Sequence, residues 1–232
     1  MIKKDVTFIA EIGMNHNGNF GLFFELIKQA SLSGADFAKF QLGWRCGEGE
    51  INRLGQDDVA QIVKCCDYHD IKPLFSIIRP ESFTIVEKFN FNAFKIASRT
   101  VNEEPELVKN IIATGKSVFI SLGMTEKIEP FGKNDSVFYL WCQSKYPLHP
   151  WEVKDFPTSF QDYGLAGLSD HSIGIELPLI AIMRGAEVIE KHFTLDKSDT
   201  TIRDHALSLT PDEFKQMVTL GRQIKKYRLL GI

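Results

Sequence analysis

Two histidines, His171 and His192, lie close behind short apolar runs that predict buried strands, residues 165–168 and 188–189. The two runs are about one helix apart, so in a β/α repeat they would be successive parallel strands whose carboxyl ends lie side by side. Two imidazoles at such an edge can hold one divalent metal and leave positions open for a substrate. A single histidine at such an edge would more often only form hydrogen bonds in a polar corner of the structure. The pair of histidines favours a metal site.

Two lysines, Lys39 and Lys95, interrupt other apolar segments that predict strands. An ammonium group inside a barrel mouth loses its hydration and needs either a neighbouring anion or an altered pKa. One interpretation is an internal ion pair with Glu11 or Glu190. Another is a site for a ligand with two or three negative charges. A Schiff-base lysine also remains open, because burial lowers the pKa of an amine.

Further polar side chains follow the remaining predicted strands and would meet at the same face of a parallel barrel. They are Glu11, Gln41, Ser98, Ser121, Ser144, Tyr146, Ser169, Asp170 and, in the loop after the last strand, Asp204. Each serine taken singly is weak evidence. The set gains meaning only if the fold brings its members together.

Nearly continuous apolar runs alternate with segments of helical period, which is typical of a parallel sheet covered on both faces. The predicted strands are residues 7–12, 37–41, 73–78, 93–98, 117–122, 137–142, 165–169 and 188–192. The predicted helices are residues 20–33, 57–68, 80–89, 104–113, 175–184 and 211–225. Eight such strands predict an α/β fold, a (β/α)8 TIM barrel forming a single compact domain over residues 1–232. An open doubly wound sheet is the alternative, but no glycine-rich phosphate turn follows the first strand.

The composition limits the classes of function. With 44% hydrophobic and 25% charged residues the chain is an ordinary globular protein rather than a disordered one. Its net charge of −3 offers no basic surface for nucleic acid. Four cysteines without metal-binding spacing indicate reduced thiols. Neither a signal peptide nor an apolar run of ~18 residues is present, so we expect a cytoplasmic protein that does not bind membranes.

Several segments, in order along the chain, carry a family resemblance. They are residues 10–18 (AEIGMNHNG), 34–41 (GADFAKFQ), 95–98 (KIAS), 121–124 (SLGM), 146–147 (YP), 167–171 (GLSDH) and 185–196 (GAEVIEKHFTLD). In these motifs the chain resembles the sialic acid synthases, (β/α)8 enzymes that condense phosphoenolpyruvate with a sugar. The resemblance implies a reaction between phosphoenolpyruvate and the open-chain aldehyde of an N-acyl hexosamine, yielding a nonulosonic acid and phosphate.

The resemblance also implies roles for individual residues. His171 and His192 would bind a divalent metal, manganese in this family with magnesium as the alternative, which polarises the aldehyde oxygen. Glu11, Lys39, Lys95 and Asp170 form the implied catalytic set, with Glu11 as acid/base and Asp170 orienting a neighbouring ligand. The implied substrate-binding residues are Gln41, Ser98, Ser121, Ser144, Tyr146, Ser169 and Asp204. Both lysines, with Ser98, Ser121 and Ser169, would hold phosphoenolpyruvate.

The chain departs from the family pattern at several points. Family members usually carry a C-terminal antifreeze-like domain that closes over a partner's sugar site, whereas this sequence ends at Ile232. We therefore expect an open mouth, covered by a homodimer partner or by a separate lid domain supplied in trans. Ile77 or Ile78 stands where a phosphate-binding threonine is usual, and Thr100 replaces an acid.

Two other classes of function remain open on the sequence. One is a non-catalytic barrel that binds a phosphorylated metabolite or a partner synthase. The other is a Schiff-base aldolase that uses Lys95 or Lys39. Retention of Glu11, both lysines and both histidines argues against a pure binding module, since such a module needs no metal with open positions.

Overall fold

The computed structural model describes residues 5–231, and its eight strands close into a barrel in chain order. All strand pairs, including the closing pair of the first and last strands, are parallel. The strands are β1 (Thr7–Gly13), β2 (Phe37–Leu42), β3 (Lys72–Ile77), β4 (Ala93–Ile96), β5 (Ser117–Ser121), β6 (Val137–Cys142), β7 (Gly167–Asp170) and β8 (Val188–His192). The predicted (β/α)8 barrel is confirmed.

Seven α-helices lie around the barrel. They are α1 (Phe20–Leu32), α2 (Gln56–Tyr68), α3 (Pro80–Val86), α4 (Ser98–Glu103), α5 (Pro105–Ala113), α6 (Glu176–Met183) and α7 (Pro211–Leu229). Short 3₁₀ turns occupy Pro150–Glu152 and Arg203–Leu207. Within the described residues, no helix is both long and apolar enough to cross a membrane.

The prediction around the fourth strand was wrong in one respect. Residues 93–98 were expected to be a strand, but β4 ends at Ile96 and Ser98 begins α4. Pro105 then starts a separate helix, because proline fits the first helical turn and lacks the N–H that a continuous helix would need there. The segments between β5 and β6 and between β6 and β7 contain no α-helix in the described chain, as the sequence predicts.

The inside of the barrel has an apolar floor and a polar mouth. The floor is formed by Ile9, Leu74, Ala93, Phe119, Leu140 and Val188, with Phe37 packed against them. Side chains alternate along a strand, so the residue two positions further on points inward as well, one layer nearer the mouth. Those positions hold Glu11, Lys39, Ser76, Lys95, Ser121, Cys142, Ser169 and Glu190, and all eight line one cavity.

Strand β7 contributes only a glycine to the floor layer, and the reason is steric. Gly167 is in register with Val188, and a Cβ built on it would lie 2.8 Å from the Val188 nitrogen and 2.7 Å from its carbonyl carbon. Real Cβ atoms do not approach backbone so closely. The two strands that precede His171 and His192 can therefore lie this close only with glycine at position 167.

We predict that Gly167→Ala lowers the free energy of unfolding by about 3 kcal/mol or more, because β7 and β8 must separate to admit the methyl group. Urea unfolding followed by circular dichroism measures the change. Gly47→Ala is the control, since its nearest contact would be an ordinary 3.8 Å to the Glu50 side chain. That control should change stability by less than about 1 kcal/mol. Equal stability of both variants would contradict the steric argument.

Candidate active site at the barrel mouth

The carboxyl ends of the strands surround a cavity of about 330 Å³. Twelve of the thirteen site residues predicted from the sequence line it: Glu11, Lys39, Gln41, Lys95, Ser98, Ser121, Ser144, Tyr146, Ser169, His171, His192 and Asp204. The exception is Asp170. A set of side chains that the sequence spreads over more than 190 positions is thus gathered around one space.

Asp170 faces away from this cavity. Strand alternation points Ser169 inward and Asp170 outward, where its carboxylate pairs with Lys191 at 2.6 Å. The pair is buried, and neither residue lines the cavity. The implied placement of Asp170 in the catalytic set therefore does not fit a role in direct contact with substrate.

Both lysines are held by buried carboxylates. Lys39 Nζ lies 3.1 Å from Glu11 and 3.1 Å from Glu190, and Lys95 Nζ lies 3.7 Å from the same Glu190 oxygen. Lys95 also donates to Ser121 Oγ at 2.7 Å and to the Ile96 carbonyl at 2.9 Å. The internal ion pair considered from the sequence is therefore present, and Glu190 is its shared member.

The two carboxylates of this network titrate in opposite directions. Burial raises the pKa of Glu11, outweighing the attraction of Lys39. Burial opposes charge on Glu190 as well, but Lys39 and Lys95 together lower its pKa to about 2. Two acids whose pKa values are pushed apart can serve as a proton carrier and a permanent anion. In this arrangement Glu11 is the acid that holds a proton more readily, and Glu190 is the permanent anion.

The lysines differ in the same way. Burial disfavours the charge on Lys39, yet the two flanking carboxylates raise its pKa above the ordinary value. Lys95 has Glu190 at a greater distance and Lys39 as a repelling neighbour, and burial lowers its pKa to about 8. Lys95 is consequently the more easily deprotonated amine.

Hydroxyl groups complete the polar wall. Ser169 Oγ donates to Glu190 at 2.8 Å, and Ser98 Oγ accepts from the Gly123 N–H at 2.9 Å. Gly123 cannot carry a side chain here, because a Cβ would lie 2.9 Å from Cys142 Sγ and 3.1 Å from the Cys142 carbonyl. The absence of a side chain at Gly123 lets the ends of β5 and β6 lie close together beside these hydroxyl groups.

The two imidazoles face each other across the cavity, with ring centroids 5.5 Å apart. His171 Nδ1 lies 3.1 Å from the Gln143 carbonyl, which can only accept, so that nitrogen carries the proton and Nε2 keeps its lone pair. Burial lowers the pKa of His192 to about 3, and its Nδ1 has no hydrogen-bond partner within residues 5–231. Burial disfavours charge on His171, but Cys142 and the Gln143 carbonyl raise its pKa above the ordinary value. In their neutral form, two rings at this spacing can share one ion. Among the described residues they are not joined by a third metal-binding side chain.

Several cavity residues were not predicted as site residues. Glu190 was considered only as an ion-pair partner, and Cys142, Trp44, Arg99 and Arg203 were not assigned. The period-two alternation that points the floor residues inward also predicts that Glu190 and Cys142 point into the cavity. The arginines lie on loops or short helices without periodicity, each over an aromatic ring: Arg99 4.9 Å from Trp44 and Arg203 4.8 Å from Tyr146.

Two mouth loops are joined through His16. Its Nδ1 accepts from the Gly18 N–H at 3.0 Å, and its Nε2 lies 3.2 Å from Asn52 Oδ1. Asn52 in turn donates to the carbonyls of Gln41 and Trp44 at 3.0 and 2.8 Å. The loop after β2, which carries Trp44 to the rim, is thereby tied to the loop after β1.

The loop after β1 is also joined to the loop after β8. Asn15 Nδ2 donates to the Phe193 carbonyl at 2.9 Å and to Ser208 Oγ at 3.0 Å. Asn17 donates to Asp199 at 2.6 Å and faces His205 Nε2 at 3.0 Å. These contacts hold the segment that carries Arg203 and Asp204 against the mouth.

The fold and site together define a (β/α)8 barrel whose mouth gathers two buried lysines beside two facing imidazoles. Comparison with known proteins agrees with this class. The model of the NeuB family matches residues 50–229. The chain belongs to the NeuB family, which confirms the resemblance found in its motifs.

Individual relatives cover most of the chain. An uncharacterised protein of Methanocaldococcus jannaschii is 33% identical over 97% of this chain and 72% of its own length. The N,N'-diacetyllegionaminic acid synthase of Campylobacter jejuni is 31% identical over 96% of this chain and 77% of its own. The crystal structure of the N-acetylneuraminic acid synthetase of Leptospira borgpetersenii superposes with a TM-score of 0.86 at 27% identity, covering 97% and 85% of the two chains.

The buried position of His16 generates a prediction about pH. Burial lowers the pKa of His16 to about 4. Between about pH 6.5 and 4, His16 is therefore protonated in the unfolded chain but stays neutral in the folded chain. Stability therefore falls as the pH is lowered through this window, by on the order of 3 kcal/mol from this residue once the pH is below about 4. Urea unfolding at a series of pH values measures the slope.

In His16→Gln that part of the slope should disappear, even though the variant loses some stability at pH 7. His149→Gln, on a loop beside the exposed Trp151, is the matched control and should keep the wild-type slope. An unchanged slope in His16→Gln would mean that other groups account for the acid sensitivity.

Proposed function

We propose that this protein condenses phosphoenolpyruvate with the open-chain aldehyde of an N-acyl hexosamine, with the help of a divalent metal, and releases phosphate. The product is a nonulosonic acid of the sialic acid type. The observation that carries the proposal is the shared cavity itself. Two lysines, three serine hydroxyls, a protonatable carboxyl and two imidazoles line a space of about 330 Å³.

The lysines and hydroxyls suit the carboxylate and phosphate of phosphoenolpyruvate. Charge-assisted hydrogen bonds from buried ammonium groups are among the stronger polar interactions in proteins. In the structure these groups are satisfied by Glu190 and Glu11. Because the carboxylates already pair with the two cations, the cost of burying the cations is offset before a ligand arrives. The oxygens of an anionic ligand would then replace part of that pairing.

Glu11 is placed to handle the protons of the reaction. The C3 atom of phosphoenolpyruvate attacks the aldehyde carbon, and the aldehyde oxygen takes up a proton. Water then adds to C2 and loses a proton, after which phosphate leaves and the 2-keto group forms. A carboxyl whose pKa is raised by burial can give the first proton and accept the second. Gln41 Nε2 donates to Glu11 Oε1 at 2.6 Å and holds it in position.

His171 and His192 fit a divalent metal, manganese by family resemblance with magnesium as the alternative. The orphaned Nδ1 of His192 is a polar atom that a buried site would not otherwise leave unpaired. When bound, the metal would supply Lewis-acid polarisation of the aldehyde oxygen. Imidazole is a favoured ligand for transition ions such as zinc, iron and nickel, so the choice of manganese rests on the family resemblance and not on the two rings.

The acceptor sugar would lie on the outer side of the cavity, against Gln41, Ser144, Tyr146 and Asp204. Asp204 Oδ1 is buried without a hydrogen-bond partner in the described chain, which suits an acceptor for a sugar hydroxyl. The two named synthases make different nonulosonic acids, so their names support the N-acyl sugar class rather than one sugar.

Lys95 supports a second candidate, a Schiff-base aldolase. Its pKa of about 8 leaves a usable fraction of free amine at mildly alkaline pH. Its hydrogen bonds to Ser121 and the Ile96 carbonyl hold the amine in place as a cation. The family membership favours the condensation. Borohydride trapping of an adduct with pyruvate or the sugar separates the two candidates, because only the aldolase forms an imine.

The decisive experiment measures phosphate release from phosphoenolpyruvate across a panel of N-acyl hexosamines with manganese. We expect release with at least one sugar, its loss after chelation and its recovery when manganese is returned. Absence of release with every sugar, together with a borohydride-trapped adduct, would replace the proposed function with the aldolase.

Removing one ammonium should affect the two substrates unequally. We predict that Lys95→Met raises the KM for phosphoenolpyruvate about 10- to 100-fold, the worth of one charge-assisted hydrogen bond. The KM for the sugar should change less than about threefold, because Lys95 lies on the inner side of the cavity. Steady-state kinetics measure both values. Lys72→Met, an exposed lysine at the opposite end of the barrel, is the control. Equal losses for both substrates would assign Lys95 a structural role.

We also propose that a second copy of the chain covers the mouth in a homodimer, with a separate lid domain in trans as the alternative. Met124 lines the cavity yet is largely exposed, and Trp151 is exposed on the loop after β6 at the same end. Light scattering should give twice the mass of one chain. A strict monomer that is fully active without an added antifreeze-like domain would contradict both arrangements.

All four cysteines are free thiols, which supports a reducing compartment such as the cytoplasm.

A further inference from the structure

Asp170 and Lys191 form an ion pair on the outer face of the barrel wall, directly behind the two imidazoles. Lys191 Nζ lies 2.6 Å from Asp170 Oδ2, and the two side chains are 0% and 1% exposed. The β7–β8 register places their Cα atoms opposite each other. Each residue immediately precedes one of the histidines, so the ion pair joins the two strands at the point where the imidazoles leave them.

The same pair encloses the residue that follows His171. The Ser172 N–H donates to Asp170 Oδ1 at 2.9 Å, and Ser172 Oγ donates to Asp170 Oδ2 at 2.8 Å. Lys191 Nζ also donates to the Ser172 carbonyl. His171 therefore lies in a short loop whose two flanking residues are both bound to the neighbour of His192.

The loop is fixed from its other side as well. The Leu148 N–H donates to the His171 carbonyl at 3.1 Å, and the Ile173 N–H donates to the Leu148 carbonyl at 3.0 Å. With Gln143 on its ring, His171 is restrained at its backbone on two sides and at Nδ1. The Lys191 side chain, through its contacts with Asp170 and the Ser172 carbonyl, links this loop to β8.

Apart from the hydrogen bonds to Ser172, burial favours apolar side chains at these positions. The outward residues two positions earlier, Leu168 and Ile189, belong to the apolar layer between strands and helices. Taking two charges out of water is costly, and apolar replacements of a buried ion pair are often neutral or stabilising. An ion pair differs from an apolar contact in fixing direction and distance between its partners.

We infer that the Asp170–Lys191 pair is a positioning device that sets the spacing and direction of His171 and His192 so that both rings face one divalent ion. This inference rests on the metal site in the proposed function. Neither residue touches the cavity, so both act through the histidines beside them. Such outer partners commonly change metal affinity about 10- to 100-fold when they are removed.

The test compares manganese dissociation constants, measured by isothermal titration calorimetry on the purified full chain, with thermal unfolding midpoints. Lys191→Met leaves a buried unpaired carboxylate and will lower stability. The informative variant is therefore the double substitution Asp170→Leu with Lys191→Met, which removes both charges. Asp170→Asn, which keeps the shape and can still accept from the Ser172 N–H but lacks the charge, provides a third protein if the double variant folds poorly.

Lys225→Met is the matched control. Lys225 pairs with Glu187 at 2.9 Å and is nearly buried, but this pair lies at the opposite end of β8 from the histidines. We expect the double variant and Asp170→Asn to bind manganese about 10- to 100-fold more weakly than wild type. Phosphoenolpyruvate affinity without metal should stay within about twofold. The unfolding midpoint of the double variant should fall less than that of Lys191→Met, because no unpaired charge remains although the buried polar groups of Ser172 lose their partners. Lys225→Met should bind manganese as wild type does.

Manganese affinity that is unchanged in the double variant and in Asp170→Asn would overturn the inference, as would an equal loss in Lys225→Met. If the wild-type protein binds no manganese, the inference fails together with the metal in the proposed function. If wild type binds manganese and the variants lose it, but no sugar supports phosphate release, the inference stands while the proposed function fails.

Discussion

The carboxylate of Glu190 makes it feasible to place two ammonium groups inside the barrel. It lies within 3.1 Å of Lys39 and 3.7 Å of Lys95, and Ser169 donates to the same oxygen. Without this anion the two cations would repel each other in a space that excludes most water, and Lys39 would have only Glu11 beside it. The lysines therefore keep their charge because one acid on β8 is surrounded by donors from three other strands.

That arrangement is possible because the inside of the barrel is layered. An apolar residue or glycine two positions before each polar residue fills the floor, so the polar layer rests on packed side chains instead of water. The floor fixes each strand relative to its neighbours, and strand alternation then fixes which side chains enter the mouth. The arrangement of the side chains at the mouth therefore follows from the packing of the apolar floor.

Much of this could be predicted from the sequence, since continuous apolar runs of strand length leave little alternative to a covered parallel sheet. The inward direction of Glu190 and the outward direction of Asp170 were also within reach, because alternation from Val188 and from Ser169 settles both. The positions of Arg99 and Trp44 at the cavity could not be predicted, because neither residue lies on a periodic segment. The early end of β4 follows from the start of α4 at Ser98, and apolar patterning carries no signal for that start.

The hydrogen bonds that join the loops of the mouth also affect how such a barrel can be re-engineered or can diverge. His16 couples the first loop to the second, and Asn15 and Asn17 couple it to the last. Exchange of a single loop with a relative would break buried polar partners on a loop that stays behind. New acceptor preferences are therefore most accessible through concerted replacement of the first and last loops as one module, which lie far apart in sequence but adjacent across the closure of the barrel.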